Sequence, residues 1–266
     1  MAIPLKKEVP QEDECVLELK DVSLSFGEKK ILENFSLRLP KRHKLSIVGE
    51  SACGKSTLLK VIVGLIPPDS GEVLLFNQDI SRLNLTKLER LRRRVGMQFQ
   101  AGALFDSMDV GENLFLASYE SVRDKLKTEK TATPSEIKAM LEKVGLEKAS
   151  DLNPSSLSGG MKKRAAIARA LIVKPELAIF DEPTAGLDPI TSSSIIRLLN
   201  ELSADLGASM LLATTDVAVA NRFSKDIIIL NHGKLYARGT LEDHLASHDP
   251  YIKNFLKRYT KVAVAN

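Results

Sequence analysis

The sequence predicts an α/β fold with a mainly parallel sheet and an inserted helical subdomain. Strand-like and helix-like segments alternate near both ends of the chain, which is typical of parallel strands joined by crossover helices. A short apolar run stops at a glycine-rich loop, as a buried strand that feeds a phosphate-binding turn would. The middle of the chain, from about Val110 to Val173, is helical in pattern and indicates the inserted subdomain.

Each element is predicted from residue periodicity and turn signals. Short runs of β-forming residues predict strands, and longer amphipathic runs predict helices. The predicted strands are Val16–Lys20, Ser36–Pro40, Leu45–Val48, Glu72–Phe76, Leu177–Phe180, Met210–Ala213 and Ile227–Leu230. The predicted helices are Lys55–Val63, Val110–Glu120, Pro134–Val144, Met161–Val173 and Ile190–Leu206, and Lys125–Thr133 is a predicted loop.

Composition excludes several classes of protein. The 44% hydrophobic and 27% charged content is that of an ordinary globular protein, which argues against disorder. A net charge of +4 is too small to indicate nucleic acid, and the basic runs 92–94 and 162–164 are interpreted as solvated helix faces. The two cysteines fit a reducing cytosol. No secretory leader and no run of about 20 apolar residues is found, so any work at a membrane is predicted to be peripheral.

One segment matches the phosphate-binding pattern G-x-x-x-x-G-K-[ST] in full. Glycines allow backbone N–H groups to curl around phosphate oxygens, and the helix that follows directs its positive dipole end at the same anion. The lysine adds a charge near the β- and γ-phosphates, and the serine offers a hydroxyl to Mg²⁺. The candidate ATP-binding residues are Gly49, Glu50, Ser51, Ala52, Cys53, Gly54, Lys55, Ser56 and Thr57.

Two further motifs carry groups that suit phosphoryl transfer. The apolar strand at Leu177 ends in Asp181 and Glu182, where Asp181 can hold Mg²⁺ through water and Glu182 can act as general base. The sequence Leu157-Ser-Gly-Gly-Met161 precedes a basic amphipathic helix, and Ser158 and the helix N-terminus present donors without bulk.

Together these motifs resemble the nucleotide-binding domain of ABC transporters. The ordered set is the P-loop, a glutamine loop, the Leu-Ser-Gly-Gly signature, the Asp-Glu strand and Ala185-Gly-Leu-Asp188, and it covers about Val16 to Leu245. The resemblance implies a P-loop NTPase of ABC type with an additional antiparallel β subdomain. The implied division is an extension at 1–15, an ATP-binding domain at 16–247 with a helical subdomain at about 101–175, and a C-terminal helical extension at 248–266.

The resemblance also implies roles for single residues. Two copies pair head to tail, so that ATP lies between one P-loop and the other copy's Ser158, Gly159 and Gly160. Phe26 matches the aromatic that stacks on adenine, although a core position is an open alternative. Gln100 matches the glutamine that touches Mg²⁺ and couples the site to the membrane subunit, and Asp188 matches the loop that senses the opposite site. The implied Mg²⁺ ligands are Ser56, Gln100 and Asp181.

One catalytic position departs from the family pattern. The family places a histidine after the strand Met210–Ala213, and that histidine reaches the γ-phosphate. This chain has Thr215 there, and none of its four histidines lies at the end of that strand; they are His43, His232, His244 and His248. Two interpretations stay open: hydrolysis is slower, or Thr215 holds a water that does part of the work. Because Glu182 is intact, hydrolysis is still expected.

The stretch Phe99-Gln-Ala-Gly-Ala-Leu-Phe105 resembles the ATPases of Mla-type lipid transporters. This resemblance implies a homodimer with permease subunits and a mammalian-cell-entry-type lipid-binding protein, on the cytoplasmic side of the inner (plasma) membrane, with no nucleic acid. An amino-acid importer is the alternative, in which Leu104 and Phe105 are ordinary apolar anchors. The tail from His248, amphipathic at Ile252, Phe255, Leu256 and Tyr259, is interpreted either as a contact with the partner copy or as a helix packed on its own domain.

Two other classes of function compete with a transport ATPase. A non-hydrolysing switch that closes on ATP is compatible with Thr215. A protein that acts on ribosomes or DNA is disfavoured, because the chain has one cassette and no heptad run. Co-fractionation with membranes would separate this last class from the others.

Overall fold

The computed structural model of the chain describes residues 14–122 and 131–259. Most of the predicted N-terminal extension, most of the predicted loop Lys125–Thr133 and the last residues of the tail lie outside these ranges. The chain divides into two compact units, one formed by the segments up to Asn84 and from Ser209 onward, and the other by Leu85–Ala208. The predicted domain boundaries at 1–15, 16–247 and 248–266 stay a prediction.

The helices and strands have the following bounds. The strands are β1 Cys15–Phe26, β2 Lys29–Pro40, β3 Lys44–Val48, β4 Ser70–Leu75, β5 Gln78–Asp79, β6 Val95–Gln98, β7 Leu177–Asp181, β8 Ser209–Thr214, β9 Ile227–Asn231 and β10 Lys234–Gly239. The α-helices are α1 Lys55–Ile62, α2 Leu85–Arg92, α3 Val110–Val122, α4 Pro134–Lys143, α5 Gly159–Leu171, α6 Pro189–Leu206, α7 Val217–Phe223, α8 Leu241–Leu245 and α9 Pro250–Tyr259. Short 3₁₀ turns lie at Ile80–Arg82 and Pro154–Ser156.

The first unit contains both parallel and antiparallel strands. β3 pairs in parallel with β8 and with β9, and β10 adds to β9 in the antiparallel sense. A separate antiparallel sheet has the order β2-β1-β4-β5. β3 is almost wholly buried, and its buried polar side chain, Ser46, donates a hydrogen bond to the Ala220 carbonyl oxygen at 3.0 Å. A buried strand with its polar group satisfied gives the loop after Val48 a rigid base.

The second unit surrounds a short parallel pair, β6 with β7, with helices α3 to α6. Every residue of β7 is buried, which explains its unbroken apolar run. Thr133 caps α4 in a capping box with Glu136, and Pro134 occupies the first turn, as the sequence predicts. This unit carries the glutamine loop, the signature loop and the acidic pair.

The α/β fold class is confirmed, and the main differences concern where elements begin and end. β1 and β2 are each twelve residues long, more than twice the length of the predicted strands that lie within them. β1 pairs on both sides, and its register shifts near Leu19 and Val22 interrupt the alternation of side chains from which a strand is predicted. α5 begins at Gly159 rather than Met161, since Ser158 caps it. The sequence analysis does not predict α2, β5, β6, α7, β10 and α8; most are short, with weak periodicity. Among the described residues, no helix is long and apolar enough to cross a membrane.

Gly96→Ala is expected to destabilise the second unit. A Cβ at Gly96 would lie 2.1 Å from the Ala170 carbonyl oxygen and 2.9 Å from the Pro175 ring, so β6 and α5 would have to separate. Overpacking of this kind lowers the free energy of unfolding by about 1–3 kcal/mol. Gly207→Ala is the control, because its Cβ meets nothing within 4 Å and the only penalty is its φ of +60°. Equal denaturation midpoints for the two variants would contradict the expectation.

Candidate functional site

The glycine-rich loop of the first unit joins the end of β3 to the start of α1. Gly54 adopts φ +110°, a backbone conformation that side chains disfavour, and lies at the N-cap of α1. A Cβ at Gly49 would lie 2.5 Å from the Leu230 carbonyl oxygen and 2.6 Å from the Cys53 sulfur. Both glycines are therefore required by the close path of the loop, and that path directs the first N–H groups of α1 toward the loop interior.

The lysine of this loop is buried. Lys55 is 6% exposed, and its Nζ donates hydrogen bonds to the carbonyl oxygens of Gly49 at 2.9 Å and Glu50 at 3.1 Å. The ammonium is thereby held at the centre of the loop, at the helix N-terminus that favours anions. Ser56 and Thr57 follow in the first helical turn and are half-buried. Burial raises the pKa of the Cys53 thiol.

Two other predicted site residues belong to the first unit. Phe26, the last residue of β1, is 52% exposed, so the interpretation of Phe26 as a core residue is wrong. Thr215 is half-buried and follows β8 directly. The hydroxyl of Thr214 accepts a hydrogen bond from the Asp216 N–H at 3.1 Å, and Asp216 caps α7. The backbone on either side of Thr215 is therefore fixed.

The acidic pair ends β7 in the second unit. Asp181 is 4% exposed and Glu182 is 8% exposed. Glu182 has φ +46°, a left-handed conformation that costs about 1–2 kcal/mol in a residue with a Cβ. The Asp181 carbonyl accepts a hydrogen bond from the Gln98 side chain at 3.4 Å. A strained residue persists only where its surroundings impose the conformation, and such residues cluster at functional sites.

Lys163 joins the glutamine loop to the acidic pair. Its Nζ donates to the Gln100 carbonyl oxygen at 2.7 Å and to the Glu182 carbonyl oxygen at 3.2 Å. Burial lowers the pKa of Lys163, while the nearby carboxylates of Glu182 and Asp181 act to raise it. The Gln100 side chain itself is exposed.

The interpretation of 162–164 as a solvated face is therefore wrong for two of its three residues. Arg164 donates to the Val144 carbonyl oxygen at 2.8 Å and to the Ser194 hydroxyl at 2.7 Å, and only Lys162 is exposed. In sequence, only the helical phase distinguishes the exposed Lys162 from Lys163.

The signature loop is organised by its serine. The Ser158 hydroxyl accepts a hydrogen bond from the Met161 N–H at 3.3 Å and caps α5. Ser158 and Gly159 are exposed, whereas Gly160 is half-buried. A Cβ at Gly160 would lie 3.1 Å from the Thr191 methyl group. The loop thus presents backbone donors at a helix N-terminus with little side-chain bulk.

Asp188 caps α6. Its Oδ1 accepts hydrogen bonds from the N–H groups of Ile190 and Thr191, both at 3.0 Å. The hydrogen bonds from Thr191, with that from Ile190, hold the pKa of the Asp188 carboxyl below its usual value. Ile190 beside it is 84% exposed. The aspartate therefore has a local capping function in this chain, whatever it contacts in an assembly.

The described part of the tail packs on its own unit. Ile252, Phe255 and Leu256 of α9 are buried in a cluster with residues of β9, β10 and α7. Arg258 of α9 lies 3.2 Å from a carboxylate oxygen of Glu50 in the glycine-rich loop. The side chain of Tyr259 and residues 260–266 lie outside the described part. A contact between the tail and a partner copy, if made by the apolar face of α9, would have to compete with this packing.

Arg169 connects the stretch after Gln100 to a cavity of about 320 Å³ in the second unit. Arg169 donates to the Ala103 carbonyl oxygen, and its guanidinium carbon lies 5.1 Å from the centroid of the Phe105 ring, which is 45% exposed. The cavity is lined by Glu89, Arg92, Arg93, Val95, Gly96, Met97, Phe99, Ala117, Arg169, Ala170 and Val173. The charged residues of this lining are three arginines and one glutamate.

The family of the chain follows from comparison with known proteins. The family model described as ABC transporter matches residues 32–185, which is more than half of the chain. The chain therefore belongs to the ABC transporter family and is an ATP-binding subunit with ATPase activity. The ATP-binding and ATPase predictions are confirmed.

Individual relatives indicate which kinds of ABC transporter subunit the chain is similar to. The chain is 37% identical, over 91% of its length and 88% of the relative, to the intermembrane phospholipid transport system ATP-binding protein MlaF of Escherichia coli. It is also 37% identical to the methionine import ATP-binding protein MetN of Histophilus somni, over 86% of this chain but 66% of that relative. A dimeric ATP-binding cassette solved in a post-hydrolysis state with ADP and phosphate matches with a TM-score of 0.75 and 31% identity, covering 85% of this chain and 98% of that one.

The groups present fit a nucleotide with Mg²⁺. Mg²⁺ prefers oxygen ligands and is usually bound through one or two carboxylates together with substrate phosphates, so a dedicated cage is not needed. In residues 14–122 and 131–259, no group of three or more His, Cys, Asp or Glu side chains could hold a metal ion. The hydroxyl of Ser56 and the buried carboxylate of Asp181 are donors of the right kind.

Proposed function

We propose that the chain is the ATPase of an ABC transporter that moves phospholipid between membranes through a partner permease. The observation that carries this proposal is the 37% identity to a phospholipid-transport ATPase over nearly the full length of both proteins. The stretch Phe99–Phe105 motivated the same inference from the residues; its Phe99 lines the cavity, and its Phe105 contacts the lining residue Arg169.

The loop residues Gly49 to Thr57 are proposed to hold the phosphates. Their backbone N–H groups and the N-terminus of α1 bind the oxygens, and Lys55 leaves its carbonyl partners to contact the β- and γ-phosphates. Phe26, being exposed, is available to stack on adenine. Ser158, Gly159 and Gly160 are proposed to bind the γ-phosphate of the ATP held by a second copy, and Asp188 to sense that copy.

Hydrolysis is proposed to use Glu182 as general base. The buried carboxylate accepts a proton from the attacking water, and the surroundings that impose the φ of +46° hold the backbone of Glu182 in one conformation. Ser56, Asp181 and Gln100 would hold Mg²⁺, which when bound neutralises charge that develops on the transferring phosphoryl group. The positions of Asp181 and Glu182 relative to bound ATP then depend on β7 and on the loop that follows it.

The partners of the chain are proposed from its similarity to the phospholipid-transport ATPase. A homodimer of the chain would work with two permease subunits, and a lipid-binding protein of the mammalian-cell-entry type would complete the complex. The permease is proposed to dock at the cavity in the second unit, whose lining contains Phe99 and Arg169. The chain is proposed to be a peripheral subunit on the cytoplasmic face of the inner membrane, held there by this docking.

The cargo is tested by the ATPase rate of the chain purified with its permease. In phospholipid nanodiscs the rate is expected to exceed that in lipid-free detergent several-fold, and added methionine is expected to change nothing. Methionine importers are the specific competitor, because a methionine-import ATPase has the same 37% identity over a shorter part of its length. Stimulation by methionine, with no response to phospholipid, would contradict the lipid cargo.

Thr215→His is expected to raise kcat about 10-fold, since positioned proton transfer and water orientation contribute about 10²–10⁴-fold in enzymes and a histidine would supply part of that. The backbone beside Thr215 is already fixed by the Thr214 hydroxyl and the Asp216 cap, so the new imidazole would start from an ordered position. The measurement is steady-state phosphate release at saturating ATP.

The control is Thr215→Ala, which removes the hydroxyl without adding an imidazole. A fall in kcat in Thr215→Ala together with no gain in Thr215→His would contradict the expectation. That pair of results would show that the threonine hydroxyl already orients the water.

A further inference from the structure

We infer that Lys163 is a positioning residue that holds the general base in its hydrolytic conformation and connects it to the glutamine and signature loops. The inference rests on the roles proposed for Glu182 and Gln100. Its starting observation is a single ammonium that bridges two loops about 80 residues apart in sequence, through the carbonyl oxygens of Gln100 at 2.7 Å and Glu182 at 3.2 Å.

The first step concerns the backbone of Glu182. Its φ of +46° is unfavourable for a glutamate, so the surrounding contacts, hydrogen bonds among them, hold it there. The Glu182 carbonyl oxygen accepts from the Ala185 N–H at 3.2 Å and from Lys163 at 3.2 Å. The hydrogen bond from Ala185 lies within one turn of the chain. The hydrogen bond from Lys163 connects the same carbonyl group to a separate helix, α5.

The second step concerns that helix. Lys163 lies in the second turn of α5, whose N-cap is Ser158 of the signature loop. The helix is anchored by Ala165, Ala166, Ile167 and Ala168, all buried. Lys163 therefore links the helix that Ser158 caps to the carbonyl oxygen of Glu182.

The third step concerns the glutamine loop. Gln100 has an exposed side chain, and its backbone carbonyl is fixed by Lys163. The neighbouring residue in β6, Gln98, is buried and its side chain donates to the Asp181 carbonyl oxygen at 3.4 Å. The side chains of Gln98 and Lys163 thus both connect the segment around Gln100 to the acidic pair by hydrogen bonds. Of the two, Lys163 is the one that belongs to α5, the helix capped by Ser158.

The test compares Lys163→Met, which keeps the unbranched stem and removes the ammonium, with Lys163→Arg, which keeps the charge and several donors. Lys163→Met is expected to lower kcat for ATP hydrolysis about 100-fold, the loss that a misplacement of about 1 Å produces, while KM for ATP stays near the wild-type value. Lys163→Arg is expected to recover part of the loss. The exposed neighbour provides the matched control, Lys162→Met, which should behave as wild type.

Three outcomes overturn the inference. The first is an unchanged kcat in Lys163→Met, and the second is a loss of activity in that variant that a higher KM together with a lower Tm explains. The third is a folded Lys163→Arg variant that recovers none of the lost activity. If Lys163→Met does not fold, Lys163→Gln is measured in the same way. Glu182→Gln is assayed beside these variants. Retained activity in Glu182→Gln would show that the assigned base is wrong, whereas an inactive Glu182→Gln with an active Lys163→Met contradicts the Lys163 inference alone.

Discussion

Glu182→Gln is expected to lower kcat for ATP hydrolysis by about 10²–10⁴-fold, the contribution that a positioned general base makes. The amide has the size of the carboxylate, so the buried position and the backbone at φ +46° are kept while the proton acceptor is lost. ATP binding is expected to persist, because the phosphate-binding donors lie in the loop from Gly49 to Thr57. Phosphate release and equilibrium binding of labelled ATP are the two measurements.

The control for this substitution is Glu147→Gln, which makes the same chemical change at an exposed residue of the same unit. It should leave both quantities unchanged. Wild-type kcat in Glu182→Gln would mean that another group accepts the proton, and loss of ATP binding would mean that the substitution disturbs more than the base.

Lys55→Met is expected to weaken ATP binding about 10- to 100-fold, since hydrogen bonds to charged groups contribute about 1.5–3 kcal/mol. The Lys55 ammonium is buried and held by two loop carbonyls, so it is already located where phosphate would displace those carbonyls. Methionine fills a similar volume without a charge. The measurement is the Kd for ATP, with Tm recorded to confirm that the loop still folds.

Lys60→Met is the matched control, because Lys60 lies on the same helix α1 but is exposed. An ATP affinity in Lys55→Met equal to that of Lys60→Met would contradict the assignment of this loop as the phosphate site. Reduced affinity in both would indicate a general electrostatic effect of the basic surface rather than a specific contact.

Much of the fold could be predicted from residues with strong local signals. The buried strand β3, the loop after it and the cap at Thr133 are all encoded within a few neighbouring residues. β6 escaped prediction because it is four residues long and follows three arginines. The true length of β1 was hidden because the second half of the strand depends on pairing with β2 and β4, which sequence periodicity does not record.

The candidate site likewise contains residues that motifs predict and residues that only the structure reveals. Lys55, Ser158 and the acidic pair were found because motifs fix residue type and spacing at once. Lys163 was missed, since its function depends on which side of α5 faces the carbonyls of Gln100 and Glu182. The positive φ of Glu182 was also invisible, because glutamate has no preference for that conformation and only the surrounding contacts impose it.

The proposed function is tested most directly by ATP-dependent phospholipid transfer. Proteoliposomes that contain the chain with its permease, loaded with fluorescent phospholipid, are mixed with acceptor vesicles and the lipid-binding protein, with the chain either wild type or Glu182→Gln. We predict transfer that requires ATP and is lost in Glu182→Gln. Transfer at the same rate in both proteins, or ATP hydrolysis by the wild type that never moves phospholipid, would contradict a lipid-transport ATPase.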